Sequence, residues 1–240
     1  VRPIGGRMQK RTKIITASII AGVLVLGATA AIAGPIVYRD LIVGEAEAAP
    51  SVTTAPSATA EAGTEASDLT GEWTVADGSF AGYRVDEVLN GTDVTVTGRT
   101  ADVTGSFTVD GLSLTAASIE VDVASIATDS GNRDEYFRSS ALRTGEFPTA
   151  TFVLTEPITA DVAPVVGEAQ TVEATGELTL AGVTRPVTVD LDAVWNGSDG
   201  QVAGSIPITF ADFGVEAPNL GFVSVEPDGF VEFSLVLARG

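Results

Sequence analysis

The run Asp129-Ser130-Gly131-Asn132-Arg133-Asp134-Glu135 packs oxygen ligands and a guanidinium closely together, and a calcium loop is the first chemistry it suggests. Such a loop needs glycine at its sixth position and a bidentate glutamate at its twelfth. Counted from Asp129, glycine falls third and Ser140 takes the twelfth place, so the pattern does not build that site. Paired carboxylates could instead serve glycoside hydrolysis, and residues 69–240 hold 26 Asp and Glu from which to draw a pair. Most of those acids alternate with apolar residues along short runs, which is how a solvated strand face is written. There is no histidine and no cysteine, which removes His-dependent triads, thiolate nucleophiles, disulfides and the usual zinc, haem and iron–sulfur ligand sets. No glycine-rich phosphate loop occurs, and no lysine follows Lys13 to serve one. No catalytic residue, metal or cofactor is expected.

Charge divides sharply along the chain. Arg2, Arg7, Lys10, Arg11 and Lys13 place five positive charges in the first 13 residues. From Leu69 to the end, 7 Arg stand against 26 Asp and Glu, leaving a net charge of −19. A field of that sign repels phosphate backbones at long range, which excludes nucleic acid as a partner. It also keeps a domain dispersed in water.

Any ligand must be positioned by strands. Ile119-Glu120-Val121-Asp122-Val123 and the longer run from Val187 to Trp195 alternate apolar with polar residues, and Val94–Thr97, Ala150–Leu154, Glu177–Leu180 and Val231–Leu235 repeat the pattern. Period two turns one face of a strand to a core and the other to water, the habit of antiparallel sheets. Asn90-Gly91, Asp110-Gly111, Ala181-Gly182, Asn196-Gly197, Asp199-Gly200 and Asp228-Gly229 mark the turns between runs. About eight strands follow from this spacing. Alternation breaks between Ser130 and Glu146, where Asn132 to Leu142 carries helix formers and predicts one short helix ended near Thr144-Gly145. So much strand with so little helix must close or fold over on itself to bury its inner faces, giving an all-β barrel or sandwich.

Ahead of the strands, Ile14 to Ile32 carries no charge and apolar residues resume at Ile36-Val37. These 19 residues, as a helix rising about 1.5 Å each, span about 28 Å, close to the hydrocarbon thickness of a bilayer. The Lys/Arg cluster before them sets the N-terminus in the cytoplasm and the remainder outside. The expected organisation is a basic cytoplasmic segment over 1–13, a transmembrane signal anchor over 14–37, a flexible linker over 38–68 and an extracytoplasmic strand domain over 69–240, held at a bacterial cell membrane. Ala31-Ile32-Ala33 has the small-x-small form of a cleavage site, an alternative that exports the same domain; the apolar run continuing to Val37 favours the anchor. Val1 in place of Met points to an alternative start codon or a truncated chain, with Met8 as a start that keeps three of the five charges. Between Glu45 and Asp68 the one large apolar residue is Val52, so burial cannot offset the entropy of ordering the linker.

Ile126-Ala127-Thr128, Asn132-Arg133-Asp134, Phe147-Pro148, the segment from Thr175 to Val187 and Phe210-Ala211-Asp212-Phe213-Gly214 follow in an order and spacing that resembles the YceI family of extracytoplasmic lipocalin-like proteins, over roughly 72–238. The resemblance implies an antiparallel lipocalin-like barrel of eight strands whose interior holds a long polyisoprenoid, such as a quinone tail or a polyprenyl chain. Alternation alone supports an apolar interior and leaves hollow and filled barrels open. Where the family has histidine two residues after the Arg-Asp pair this chain has Tyr136, which removes imidazole from any headgroup contact here.

For a hydrocarbon ligand, affinity comes from apolar area and orientation from a few polar groups at the mouth. The candidate contacts on inner faces are Phe80, Tyr83, Val85, Phe107, Ile119, Val121, Phe137, Phe152, Leu178, Leu191, Trp195, Phe210 and Phe233, with Arg133 and Tyr136 as polar candidates. Arg185 is expected to hold a loop through a carboxylate, and Trp73 to plug a barrel end. Three function classes follow. The first is a binding protein for an isoprenoid lipid or quinone, acting as carrier or buffer without catalysis. The second is a structural or adhesive module with a filled barrel, and the third a carboxylate hydrolase. Whether two barrels pair as a homodimer is left open by the sequence.

Overall fold

The computed structural model describes residues 46–54, 65 and 68–240. The expected basic segment 1–13, the anchor 14–37 and most of the linker 38–68 lie outside the described residues. Among the described residues no helix is long and apolar enough to cross a membrane.

Ten strands form one antiparallel sheet: β1 (Gly71–Leu89), β2 (Thr92–Thr100), β3 (Val103–Asp110), β4 (Ser113–Asp122), β5 (Thr149–Leu154), β6 (Ile158–Thr159), β7 (Ala169–Leu180), β8 (Val183–Trp195), β9 (Gly200–Thr209) and β10 (Val223–Arg239). Eight of them close a ring in the order β1, β3, β4, β5, β7, β8, β9, β10, with β10 pairing back onto β1 from Trp73↔Arg239 to Leu89↔Val223. The fold is thus a closed eight-stranded antiparallel barrel, and β2 and β6 are additions to it. β2 exists because β1 is 19 residues long and outruns β3. Gly71–Thr74 pair with β3 and Ala81–Leu89 with β2, so β2 and β3 together form one broken partner for β1. The break falls at Ala101-Asp102, where the Asp102 amide donates to the Thr100 hydroxyl instead of a neighbouring strand.

Local sequence explains the turns. Asn90 and Gly91 take φ angles of 51° and 79°, the paired positive values of the hairpin turn whose twist matches its strands. Ala181-Gly182 does the same between β7 and β8, with the alanine at a strained φ of 46°. The predicted helix is α1 (Gly131–Tyr136), which runs on as a single π turn over Phe137–Ala141. Its position is fixed by Asp134, whose carboxylate accepts from the Thr128 amide at 2.9 Å and the Thr128 hydroxyl at 2.7 Å. This segment lies across one end of the barrel, with Phe137 and Leu142 packed on a cluster of Val123, Ile126, Leu180 and Phe213. A second cluster, built on Trp73, Phe107 and Leu235, occupies the other half of the interior.

Residues 46–54 depart from the expected free linker. They lie along the outer face of β1, β2 and β9, held mainly through their backbone, with the Glu47 carboxylate also 3.5 Å from Arg99. The Glu47 amide donates to the Thr97 hydroxyl at 3.3 Å and the Thr53 amide to Gln201 Oε1 at 2.6 Å. Arg84 and Arg99 donate to the carbonyls of Glu47 and Ala48. Beneath this strap sits the Glu232 carboxylate, 1% exposed, paired with Arg84 at 2.5 Å and Arg99 at 3.6 Å. Side-chain composition fails to foretell the strap because main-chain carbonyls, which every residue carries, are what the two guanidiniums bind.

Candidate ligand-binding site

Alternation places odd residues of β3, β4, β8 and β10 and even residues of β5 and β7 on the inner face of the barrel. They enclose a cavity of about 290 Å³ that runs up between Trp73 and Trp195 from a floor near Ala150, Ala174 and Ile206. That volume sits at the lower end of the range of small-molecule sites, about 300–1,000 Å³. Its lining includes the exposed Glu168, so the cavity reaches solvent at the end where β7 begins. Trp73 and Trp195 meet edge to face there, 5.5 Å apart at 87°, and the Trp73 indole N–H is occupied by the Leu69 carbonyl at 2.9 Å. The expectation of Trp73 as a plug becomes that of a wall residue beside an opening.

Of the candidates named from sequence, Phe107, Ile119, Val121 and Phe152 line the cavity from β3, β4 and β5, and Leu178, Leu191, Trp195 and Phe233 from β7, β8 and β10. Seven others lie off it. Phe80 stands on the outer face, with the Arg99 guanidinium 4.3 Å above its ring. Its neighbour Ala81 takes the inward place, sharing the odd parity of Trp73 and Val75, which the two-residue register shift between Ala76 and Phe80 leaves unchanged. Tyr83 and Phe137 stack on one another, 5.0 Å apart at 14°, and seal the end opposite the opening. Val85 is buried in that sealed end, and Tyr136 is half-buried on α1, away from the cavity. Phe210, in the turn after β9, covers Gly229 of β10.

Arg133, the seventh, is a structural ion-pair partner instead of a headgroup contact. It bridges Glu87 at 3.0 Å and Asp129 at 2.7 Å behind the Tyr83–Phe137 stack. Burial works to lower its pKa, but the hydrogen bond and charge of Glu87, with Asp129 beside it, carry it above the ordinary arginine value. Burial likewise pushes the Tyr83 hydroxyl well above the usual tyrosine range, against a smaller opposing pull from Arg133. Arg185 holds a loop as expected, through the backbone carbonyl of Asp212 at 2.9 Å and not a carboxylate. No arginine contributes to the cavity lining. The polar residues that do are Thr151, Glu168, Gln170 and Gln201, of which Glu168 carries the lining's one ionisable carboxylate.

Sequence reading missed Ala174, Val189, Leu235 and Leu237, all on the lining. Each shares strand and parity with a residue it did name, Leu178, Leu191 or Phe233, so extending the parity along each strand would have found them.

Residues 65–237 match the YceI-like domain. The chain belongs to the YceI family. A UPF0312 protein of Pseudomonas paraeruginosa is 35% identical over 138 residues, covering 54% of this chain and 68% of that one. A UPF0312 protein of a Shewanella species is 36% identical over 151 residues, covering 59% and 73%. Among solved structures, a polyisoprenoid binding domain from Saccharophagus degradans, implicated in plant cell wall breakdown, superposes with a TM-score of 0.58 at 21% identity, covering 71% of this chain and 99% of that one. BcnA of Burkholderia cenocepacia gives 0.50 at 22% identity, covering 64% and 95%. These likenesses place the YceI barrel here as a shared fold.

Proposed function

We propose that this YceI barrel binds the hydrocarbon chain of an isoprenoid-like lipid, a quinone tail or polyprenyl chain, and works as a carrier or buffer without catalysis. The observation that carries the reading is the apolar cavity, open at one end and sealed at the other, which a filled adhesive module would not require. An apolar chain entering it gains about 25 cal/mol per Å² of surface removed from water. A lining without a guanidinium, with a carboxylate at the opening, favours a lipid whose buried part is uncharged, since a phosphate drawn inside would lose its hydration without gaining a cation. The polyisoprenoid binding of the Saccharophagus domain, on the same fold, supports the ligand class. The basic and apolar segments of 1–37 support a tether to the cell membrane with the barrel on the extracytoplasmic side. The test is organic extraction of the full chain purified from bacterial membranes, followed by mass spectrometry. A stoichiometric isoprenoid is expected; an extract free of lipid would overturn the proposal.

A further inference from the structure

Inward-facing glycines recur where a barrel wall ordinarily carries side chains, and they lie beneath aromatic rings. Gly204 on β9 pairs directly with Phe233 on β10, and a β-carbon there would lie 2.8 Å from Phe233 Cζ and 3.2 Å from Cε1. Gly176 on β7 is covered by the ring of Phe152, whose Cε2 would be 2.7 Å from such a carbon. Both phenylalanines line the cavity, and neither glycine takes a positive φ, so turn geometry does not account for them. Glycine within a strand costs stability, through backbone entropy and the lost side chain. What it provides here is room for a ring to lie flat against the wall. On the other flank of Phe233 stands Ala81, also small, so the ring occupies a shallow recess between two strands.

We infer that Gly204 is a specificity-determining residue: by seating the Phe233 ring flat, it sets the free width of the lumen so that a methyl-branched hydrocarbon chain is admitted. The atoms that a new β-carbon would meet at Gly204 are side-chain atoms, the ring edge of Phe233 and, at 3.4 Å, Leu191 Cβ. The backbone is not in the way. Gly204→Ala therefore tips the ring into the lumen, narrowing it where a branch methyl must pass. Gly176 is the poorer place for the test, because a β-carbon there would also meet the Val153 carbonyl oxygen at 2.6 Å and disturb the β5–β7 pairing.

This inference rests on the lipid-binding reading, and its test separates the two. The full chain is titrated with geranylgeraniol and with straight-chain hexadecanol, following the fluorescence of Trp73 and Trp195 on the cavity wall. Wild type is expected to bind both, and Gly204→Ala to lose about tenfold in affinity for the branched alcohol relative to the straight one, the scale of a methyl group in an apolar pocket. Phe233→Leu, which removes the ring, is expected to shift the ratio toward the branched alcohol and to suppress the effect of Gly204→Ala in the double variant. Should Gly204→Ala fail to fold, Phe233→Leu alone carries the test. Wild type binding neither alcohol sinks the lipid reading itself. Binding of both with the same affinity ratio in wild type and variants overturns the width inference and leaves that reading standing.

Discussion

The two ends of the barrel are built from the same eight strands and solve opposite problems. At one end the helical segment after β4 folds across the opening, Tyr83 stacks on Phe137, and the buried Glu87 is neutralised by Arg133. At the other, the connection from β5 through β6 to β7 borders the mouth, two tryptophans stand edge to face, and the cavity meets solvent beside Glu168 and Gln170. A paired guanidinium sits where the interior is closed, and no guanidinium lines the half that is hollow. The difference teaches that a guanidinium inside a β-barrel needs carboxylates of its own to be tolerated, and once it has them it is no longer available to a ligand.

The largest effect should come from breaking the sealed end. Arg133→Met leaves Glu87 buried without its cation, and an unpaired buried charge costs about 3 kcal/mol. The urea midpoint is expected to fall accordingly, while lipid per folded molecule stays at the wild-type level. Lipid lost from a variant that remains as stable as wild type would put the headgroup at the sealed end and dissolve the contrast between the two.

Filling the open half is the complementary experiment. Ala174→Trp places a large apolar ring into the cavity floor, where the fold already leaves space. Co-purifying lipid should drop to about a tenth, equivalent to about 1.4 kcal/mol in binding. The change in stability should be the lesser one, because an existing void is filled instead of a packed layer forced apart. A midpoint as low as that of Arg133→Met, with lipid retained, would show that the floor is packed like the seal.

A pH titration sharpens the comparison further. With the folded pKa of Tyr83 raised by burial, stability is fully present below the ordinary tyrosine value of about 10 and is lost as pH climbs above it toward the folded value. Unfolding measured between about pH 9 and pH 11 should therefore steepen at the alkaline end in wild type. Tyr83→Phe should flatten that dependence. At the mouth, Glu168→Gln is expected to change stability by less than about 0.5 kcal/mol, as an exposed site away from packing should. A larger shift in its melting temperature would mean that the opening is more ordered than its exposure implies.

Much of this was legible in the residues, for reasons that also explain what was not. Alternation gives parity, and parity named Ile119, Val121, Leu178, Leu191 and Phe233 as inward; all five reach the cavity. It gives no depth. Tyr83 and Val85 point inward as fully as Ala81, two residues or four further along β1, yet they fall within the seal. Parity itself holds along β1, where Trp73, Val75, Ala81 and Tyr83 are all odd and inward while Phe80 is even and outward, because the register shift between Ala76 and Phe80 is two residues and keeps the faces. The role of Arg133 was hidden because Arg133 lies on α1 and its partner Glu87 lies 46 positions away on β1, and nothing local in either segment advertises the pair. The strap over 46–54 was hidden for a different reason, being held by main-chain atoms that composition does not display.

Closure of the ring has a consequence for how the chain acquires its shape. β1 opens the barrel domain and β10 comes last in it, and the two make the most extensive strand pairing among the described residues, reaching from Trp73↔Arg239 to Leu89↔Val223. Neither edge can be satisfied until β10 has emerged from the ribosome, so the ring closes only after its last strand is available. High separation between paired residues slows folding and leaves strand edges open meanwhile. A ring joined through its first and last strands therefore keeps two strand edges exposed until the whole barrel domain has been made.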